Sequence, residues 1–147
     1  KYFAGERPWN AAKADLGFPS ATQNEINKEN AEHLVANGVF LVSEGANMPS
    51  TNEAIEIYDA NKFLYGPAKA ANAGGVAVSG LEMSQNSMRL SSTREEVDAK
   101  LLGIMQNIVK NCAETAEEFG AKRNIPLGAN IAGFKKVADS MLDQGSC

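Results

Sequence analysis

Three short apolar runs alternating with helical stretches constrain this chain more than any other feature. The runs cover Asp15–Ser20, Val39–Ser43 and Phe63–Tyr65. Strands joined through helices by short links argue a parallel sheet of the doubly wound kind, because each crossover returns the chain to the same edge. Val39–Ser43 is a continuous apolar run, as expected of a strand buried on both faces. The first intervening helix is predicted from about Lys28, with Asn27 as its cap and Asn37-Gly38 as a left-handed stop. Ser50 and Glu53 fit a capping box that opens a second helix over Thr51–Ala60.

After Gly75 the pattern is wholly helical. One helix is predicted over about Val76–Leu90, with a start near Ala73. Thr93 and Glu96 form a capping box for a long helix to about Phe119. Its apolar positions Val97, Leu101, Ile104, Ile108, Cys112, Ala116 and Phe119 keep helical spacing. A last helix carries Ile131, Phe134, Val137, Ala138 and Met141. Methionines 83, 88, 105 and 141 are expected to fill core.

Three strands are few for a sheet that typically has about five or six. The G-x-G-x-x-G phosphate turn of dinucleotide folds is not found in the sequence. Both observations suggest that the chain begins inside a domain. The expected fold is α/β, the second half of a Rossmann-like doubly wound parallel sheet followed by a C-terminal helical segment.

Composition narrows the function. Hydrophobic residues make up 44% and charged residues 22%, and the net charge of −4 is spread without a basic stripe. Phosphate neutralisation needs clustered Lys and Arg, so nucleic acid is not an expected partner. No apolar run approaches the roughly 18–20 residues that span a bilayer. The polar, irregular start Lys1–Ala12 lacks the layout of a signal peptide and reads as a connection inside a larger protein. Cys112 sits on an apolar helix position and Cys147 is the last residue, which argues against a disulfide scaffold and for the cytoplasm. His33 is the only histidine, and no metal site is expected.

Ligands of open α/β sheets bind beyond the carboxyl ends of the strands. Three loops lie there: Ser20-Ala21-Thr22-Gln23-Asn24-Glu25, Gly45-Ala46-Asn47-Met48-Pro49, and Gly66 through Gly75. Each couples small residues, which let a ligand approach the backbone, with an amide offering a donor and an acceptor. A nicotinamide carboxamide has the complementary pair. The same residues also make ordinary turns. With a helical start near Ala73, Val76, Ser79, Gly80 and Met83 share one face. Ser79 in the first two turns has two readings: a hydroxyl donor to a ligand carboxylate at the helix N-terminus, or a bond back to a carbonyl one turn earlier. Lys69, His33 and the string Arg94-Glu95-Glu96 with Asp98 and Lys100 read as solvated surface.

The stretch Lys69–Asn86 (KAANAGGVAVSGLEMSQN) resembles the signature of the hexameric glutamate dehydrogenases. Ala21-Thr-Gln-Asn-Glu25, Glu44-Gly-Ala-Asn-Met-Pro49 and Gly128-Ala-Asn-Ile-Ala-Gly-Phe134 are similar to that family in the same order, as are Arg89-Leu90-Ser91 and Val97-Asp98. The likeness runs from about Gly5 to Gly145. It implies interconversion of L-glutamate with 2-oxoglutarate and ammonia by hydride transfer to or from NADP, or NAD, in a homo-hexamer. It places Ala21, Thr22 and Gln23 against the dinucleotide, Asn47 at its nicotinamide half and Asn72 beside the ring. Val76 would line the glutamate pocket and Ser79 would hydrogen-bond the distal carboxylate. Residues 1–75 would be a partial dinucleotide-binding domain, and 76–147 a helical segment closing the cleft toward a substrate domain. The family's catalytic lysine and aspartate belong to that substrate domain, so no catalytic residue is expected here. Gly17-Phe18-Pro19-Ser20 stands where relatives more often carry Ala-Leu-Pro-Cys.

Two other classes remain. A non-enzymatic truncated homologue or assembly module has no need for the amide set and Ser79. A dehydrogenase for leucine, valine or phenylalanine would waste a carboxylate partner in an apolar pocket.

Overall fold

Asn27 opens the first helix through a reciprocal pair of hydrogen bonds. Its side chain accepts from the Asn30 N–H at 2.9 Å, and the Asn30 side chain accepts from the Asn27 N–H at 3.2 Å. The computed structural model describes residues 4–145, and Cys147 therefore lies outside the described residues. The chain forms two compact units, Lys1–Asn72 and Ala73–Cys147.

In the first unit, β1 (Leu16–Gly17), β2 (Leu41–Ser43) and β3 (Leu64–Gly66) pair in parallel in the order β1-β2-β3. Helices α1 (Lys28–Ala36) and α2 (Asn52–Ala60) make the crossovers. Gly38 leaves α1 with φ +82°, the left-handed geometry that glycine adopts without a Cβ penalty. A short helix α3 (Ala68–Ala71) follows β3. The α/β parallel architecture is the expected one. β1 and β2 are shorter than their apolar runs, because pairing needs a neighbour, and β3 keeps the length of its run but lies one residue later. Beyond Gly17 the chain passes through Pro19, which has no N–H, and the Pro19 carbonyl instead accepts from the N–H groups of Gly45 and Ala46.

The core of this unit is Ile26, Ala31, Leu34, Val39, Val42, Ala54 and Tyr58. Trp9, from the segment expected to be a mere connection, packs against it behind a 3-10 turn at Pro8–Asn10. Arg7 fastens the same segment by donating to the Glu25 carbonyl at 2.6 Å. The expected Ser50–Glu53 box is not what opens α2. Thr51 is the cap and accepts from the Ala54 N–H at 3.4 Å, while the Ser50 hydroxyl is buried 3.2 Å from the Tyr58 hydroxyl. Ser50 bridges Ile26 in parallel register, which holds it extended and draws it into the core.

The described residues of the second unit form three helices, α4 (Ala73–Met88), α5 (Arg94–Glu118) and α6 (Ile125–Gln144). The Thr93–Glu96 box opens α5 as expected, with Thr93 Oγ1 accepting from the Glu96 N–H at 3.2 Å. Helices α5 and α6 are in close contact at Gly128, where any Cβ would fall on the Cys112 carbonyl oxygen. Cys112 and Ala116 are buried beside that crossing. The expectation that the methionines fill core fails for Met83, Met88 and Met141, which are exposed. Three helices have too little interior to cover every apolar side chain.

Candidate functional site

The carboxyl ends of the parallel strands all lie in the first unit, and their loops are stitched to one another. Pro19 of the first loop accepts from Gly45 N–H at 2.9 Å and Ala46 N–H at 3.0 Å. Asn24 donates its N–H to the Met48 carbonyl at 3.0 Å, and Ile26 to Pro49 at 2.8 Å. Gly45 lies so close to Ser20 that a Cβ would overlap its hydroxyl, so a larger residue would have to displace the Ser20 side chain. Asn24 and Met48 both adopt left-handed φ, 53° and 51°, each at a bend where the two loops meet.

The second and third loops are joined by two side chains. Glu44, only 3% exposed, accepts from the Ala68 N–H through Oε2 at 2.8 Å. Its other oxygen, Oε1, is buried without a hydrogen-bond partner among the described residues. Asn72 donates from Nδ2 to the Ala46 carbonyl at 3.1 Å.

These bonds refine the predicted contacts. The Asn72 amide uses one of its two N–H donors on Ala46 and keeps the second, together with the Oδ1 acceptor. The N–H groups of Ala21 and Thr22 point to Glu25 Oε2, each at 3.3 Å, so that loop is held closed by its own acid. Ala21, Thr22, Gln23 and Asn47 are exposed, and Asn72 is half-buried. The edge therefore offers amide and hydroxyl groups on a preformed backbone. Sequence reasoning missed Glu25 and Glu44, the two acids that hold the loops. Glu44 had one signal, a charge placed directly after an apolar strand.

Electrostatics around Glu44 follow from burial. Desolvation pushes the Tyr58 phenol up to about 12, the Ser50 hydrogen bond opposes this, and the Glu44 charge adds to it. Tyr65 is raised further, by burial first and then by Glu44. Both phenols stay neutral beside the carboxylate.

In the second unit, Val76, Ser79, Gly80 and Met83 are all exposed along one face of α4, with Val76 at 79%. The Ser79 hydroxyl donates to the Gly75 carbonyl at 3.2 Å, the back-bonded arrangement. Its oxygen lone pairs remain available, and rotation about χ1 redirects the proton to a better acceptor. A separate groove of about 430 Å³ between α4 and the start of α5 is lined by Gln85, Met88, Arg94 and Asp98, and contains none of the predicted site residues. Among the described residues no His, Cys, Asp and Glu groups could hold a metal ion, and no helix is long and apolar enough to cross a membrane.

Known proteins with the same pattern have a common name. The chain is 56% identical to the NADP-specific glutamate dehydrogenase of Giardia intestinalis over 146 residues, which is 98% of this chain and 32% of that protein. It is 57% identical over 145 residues to the NAD(P)-specific glutamate dehydrogenase of Xylanibacter ruminicola, covering 99% of this chain and 32% of the relative. The crystal structure of Plasmodium falciparum glutamate dehydrogenase superimposes with a TM-score of 0.94 at 51% identity, covering 100% of this chain and 32% of that one. The chain thus spans about a third of the length of the relatives it matches. The sequence model of the glutamate/leucine/phenylalanine/valine dehydrogenases matches residues 1–145, and the chain belongs to that family.

Proposed function

We propose that this chain supplies the nicotinamide side and part of the substrate pocket of an NADP-dependent glutamate dehydrogenase. The reaction is interconversion of L-glutamate with 2-oxoglutarate and ammonia. The observation that carries the reading is 56% identity, along nearly the whole chain, to a relative named NADP-specific glutamate dehydrogenase. NAD is the second candidate coenzyme, because another relative is named NAD(P)-specific.

The residues present fit the nicotinamide half of the coenzyme. Exposed amides at Gln23 and Asn47, and an amide at Asn72 that keeps one N–H and its acceptor after bonding Ala46, match a carboxamide that both donates and accepts. The coenzyme, when bound, supplies the hydride acceptor or donor. This chain's part is to orient it: Ala21, Thr22 and Gln23 lie against the dinucleotide, Asn47 contacts the nicotinamide half, and Asn72 sits beside the ring. The close-packed loops do this without reorganising, which is where positional catalysis gains its rate. On α4, Val76 lines the pocket for the substrate side chain, and Ser79 turns its hydroxyl from Gly75 to the distal carboxylate. Residues 1–75 act as the partial dinucleotide-binding domain, and 76–147 as the segment that closes the cleft toward a substrate domain bearing the catalytic acid and base. The same reading makes the full-length protein a cytoplasmic homo-hexamer.

The test is a rate comparison on the full-length protein. Glutamate-dependent reduction of NADP should exceed that with leucine, valine or phenylalanine in kcat/KM. A preference for an apolar amino acid would overturn the reading.

A further inference from the structure

We infer that Glu44 is a positioning residue for the nicotinamide end of the site, tethering the loop after β2 to the turn after β3 so that the amides of Asn47 and Asn72 are presented together. The inference rests on the proposed dehydrogenase function and names a residue which that reading leaves unused.

Four observations carry it. Glu44 directly follows the central strand, three residues before Asn47, and its own N–H donates to the Gly66 carbonyl at 3.0 Å. Its carboxylate then reaches a residue 24 positions away and accepts the Ala68 N–H at 2.8 Å. A charge 3% exposed is costly to bury, and one of its oxygens has no hydrogen-bond partner among the described residues. Tyr65 faces the same carboxylate and is raised by it, but the contact that crosses between the two loops is the one to Ala68.

What it holds is the start of α3. From Ala68 a single helical turn leads to Asn72, whose Nδ2 donates back to the Ala46 carbonyl at 3.1 Å. The two contacts close a ring: Glu44 to Ala68, along α3 to Asn72, and back to Ala46. Both predicted nicotinamide contacts, Asn47 and Asn72, hang from this ring at adjacent positions. The Glu44 carboxylate itself is buried, so its effect on chemistry passes through these amides.

The test uses the full-length dehydrogenase with glutamate and NADP. Glu44→Ala should slow hydride transfer at saturating substrates by about ten-fold or more, the usual cost of a reacting ring displaced by a fraction of an ångström. Affinity for 2′,5′-ADP, a fragment carrying only the adenine side, should stay within about two-fold, since that fragment does not reach the ring. Glu44→Gln should restore most of the rate, because its amide oxygen still accepts the Ala68 N–H. Ala68→Pro removes that N–H at a helix position where proline is tolerated, and should reproduce the Glu44→Ala loss. It also serves if Glu44→Ala does not fold. Parental hydride transfer in Glu44→Ala or Ala68→Pro would overturn the inference. So would an equal loss of 2′,5′-ADP affinity, or a Gln variant as slow as the Ala variant. A parent enzyme that does not oxidise glutamate refutes the functional reading itself, a result separate from any outcome among the variants.

Discussion

The hydroxyl of Ser79 has one proton to give, and the structure shows it given to Gly75. If the same proton serves a substrate carboxylate, Ser79→Ala removes a charge-assisted hydrogen bond of about 1.5–3 kcal/mol. In the full-length enzyme kcat/KM for glutamate should then fall about ten-fold or more, while that for norvaline, with no distal carboxylate, should change little. Equal losses on the two substrates rule out the role. Tyr58 gives a second prediction. Its folded-state pKa of about 12 lies above the ordinary 10, so its stabilising contribution is complete below pH 10 and is lost as the pH rises toward 12. The loss through Tyr58 alone is about 3 kcal/mol, measurable by urea unfolding at stepped pH. Tyr58→Phe should make the decline shallower, leaving the share that Tyr65 contributes, while costing about 1 kcal/mol at neutral pH, because Ser50 loses its buried partner. A decline as steep in the variant as in the parent would exclude Tyr58 as the source. At this scale the amides were legible in the sequence because loops after parallel strands announce themselves. Glu25 and Glu44 were not, since an acid's role here is set by N–H groups that only folding brings to it.

Among the elements, the tightest constraint is the α5–α6 crossing. Gly128→Ala must push the helices apart, because the added methyl meets the Cys112 carbonyl and comes within 3.0 Å of Ala116 Cβ. A destabilisation of about 3 kcal/mol is expected from such overpacking, read from the denaturant midpoint. The buried Cys112 thiol, whose pKa burial already raises, should become faster to label with a maleimide in the variant. Unchanged midpoint and labelling would show that the crossing has slack. Helix α5 was legible to within one residue because a capping box and a long apolar stripe agree on it. Helix α3 was invisible, since Ala-Lys-Ala-Ala barely completes one helical turn and so repeats no pattern. The start of α2 was misplaced by one residue because Ser50 and Thr51 are both good caps, and only the buried Tyr58 hydroxyl decides between them. The exposed methionines of α4 and α6 were misread because helical spacing identifies a face without saying what covers it.

For the molecule as a whole, the 147 residues by themselves should neither oxidise glutamate nor bind NADPH tightly. The sequence holds no glycine-rich phosphate turn, and the pyrophosphate ordinarily rests on such a turn at a helix N-terminus. The remaining amide contacts contribute a net of about 0.5–1.5 kcal/mol each, against the cost of ordering the ligand, so binding near millimolar is expected. Calorimetric titration with NADPH and a glutamate oxidation assay check this; micromolar affinity or turnover by the chain alone would contradict it. The fold class was legible because alternating strands and helices admit few arrangements, whereas the interlocking of the loops depended on contacts that no local pattern encodes. That interlocking has a bearing on how the site tolerates change. Because β2 is the middle strand, the 44–49 segment bonds outward both to the loop after β1 and to the turn after β3. A library that varies the two outer loops explores nearly independent choices, whereas each change in the middle one has to be accommodated on both sides at once, making it the slowest part of the edge to evolve.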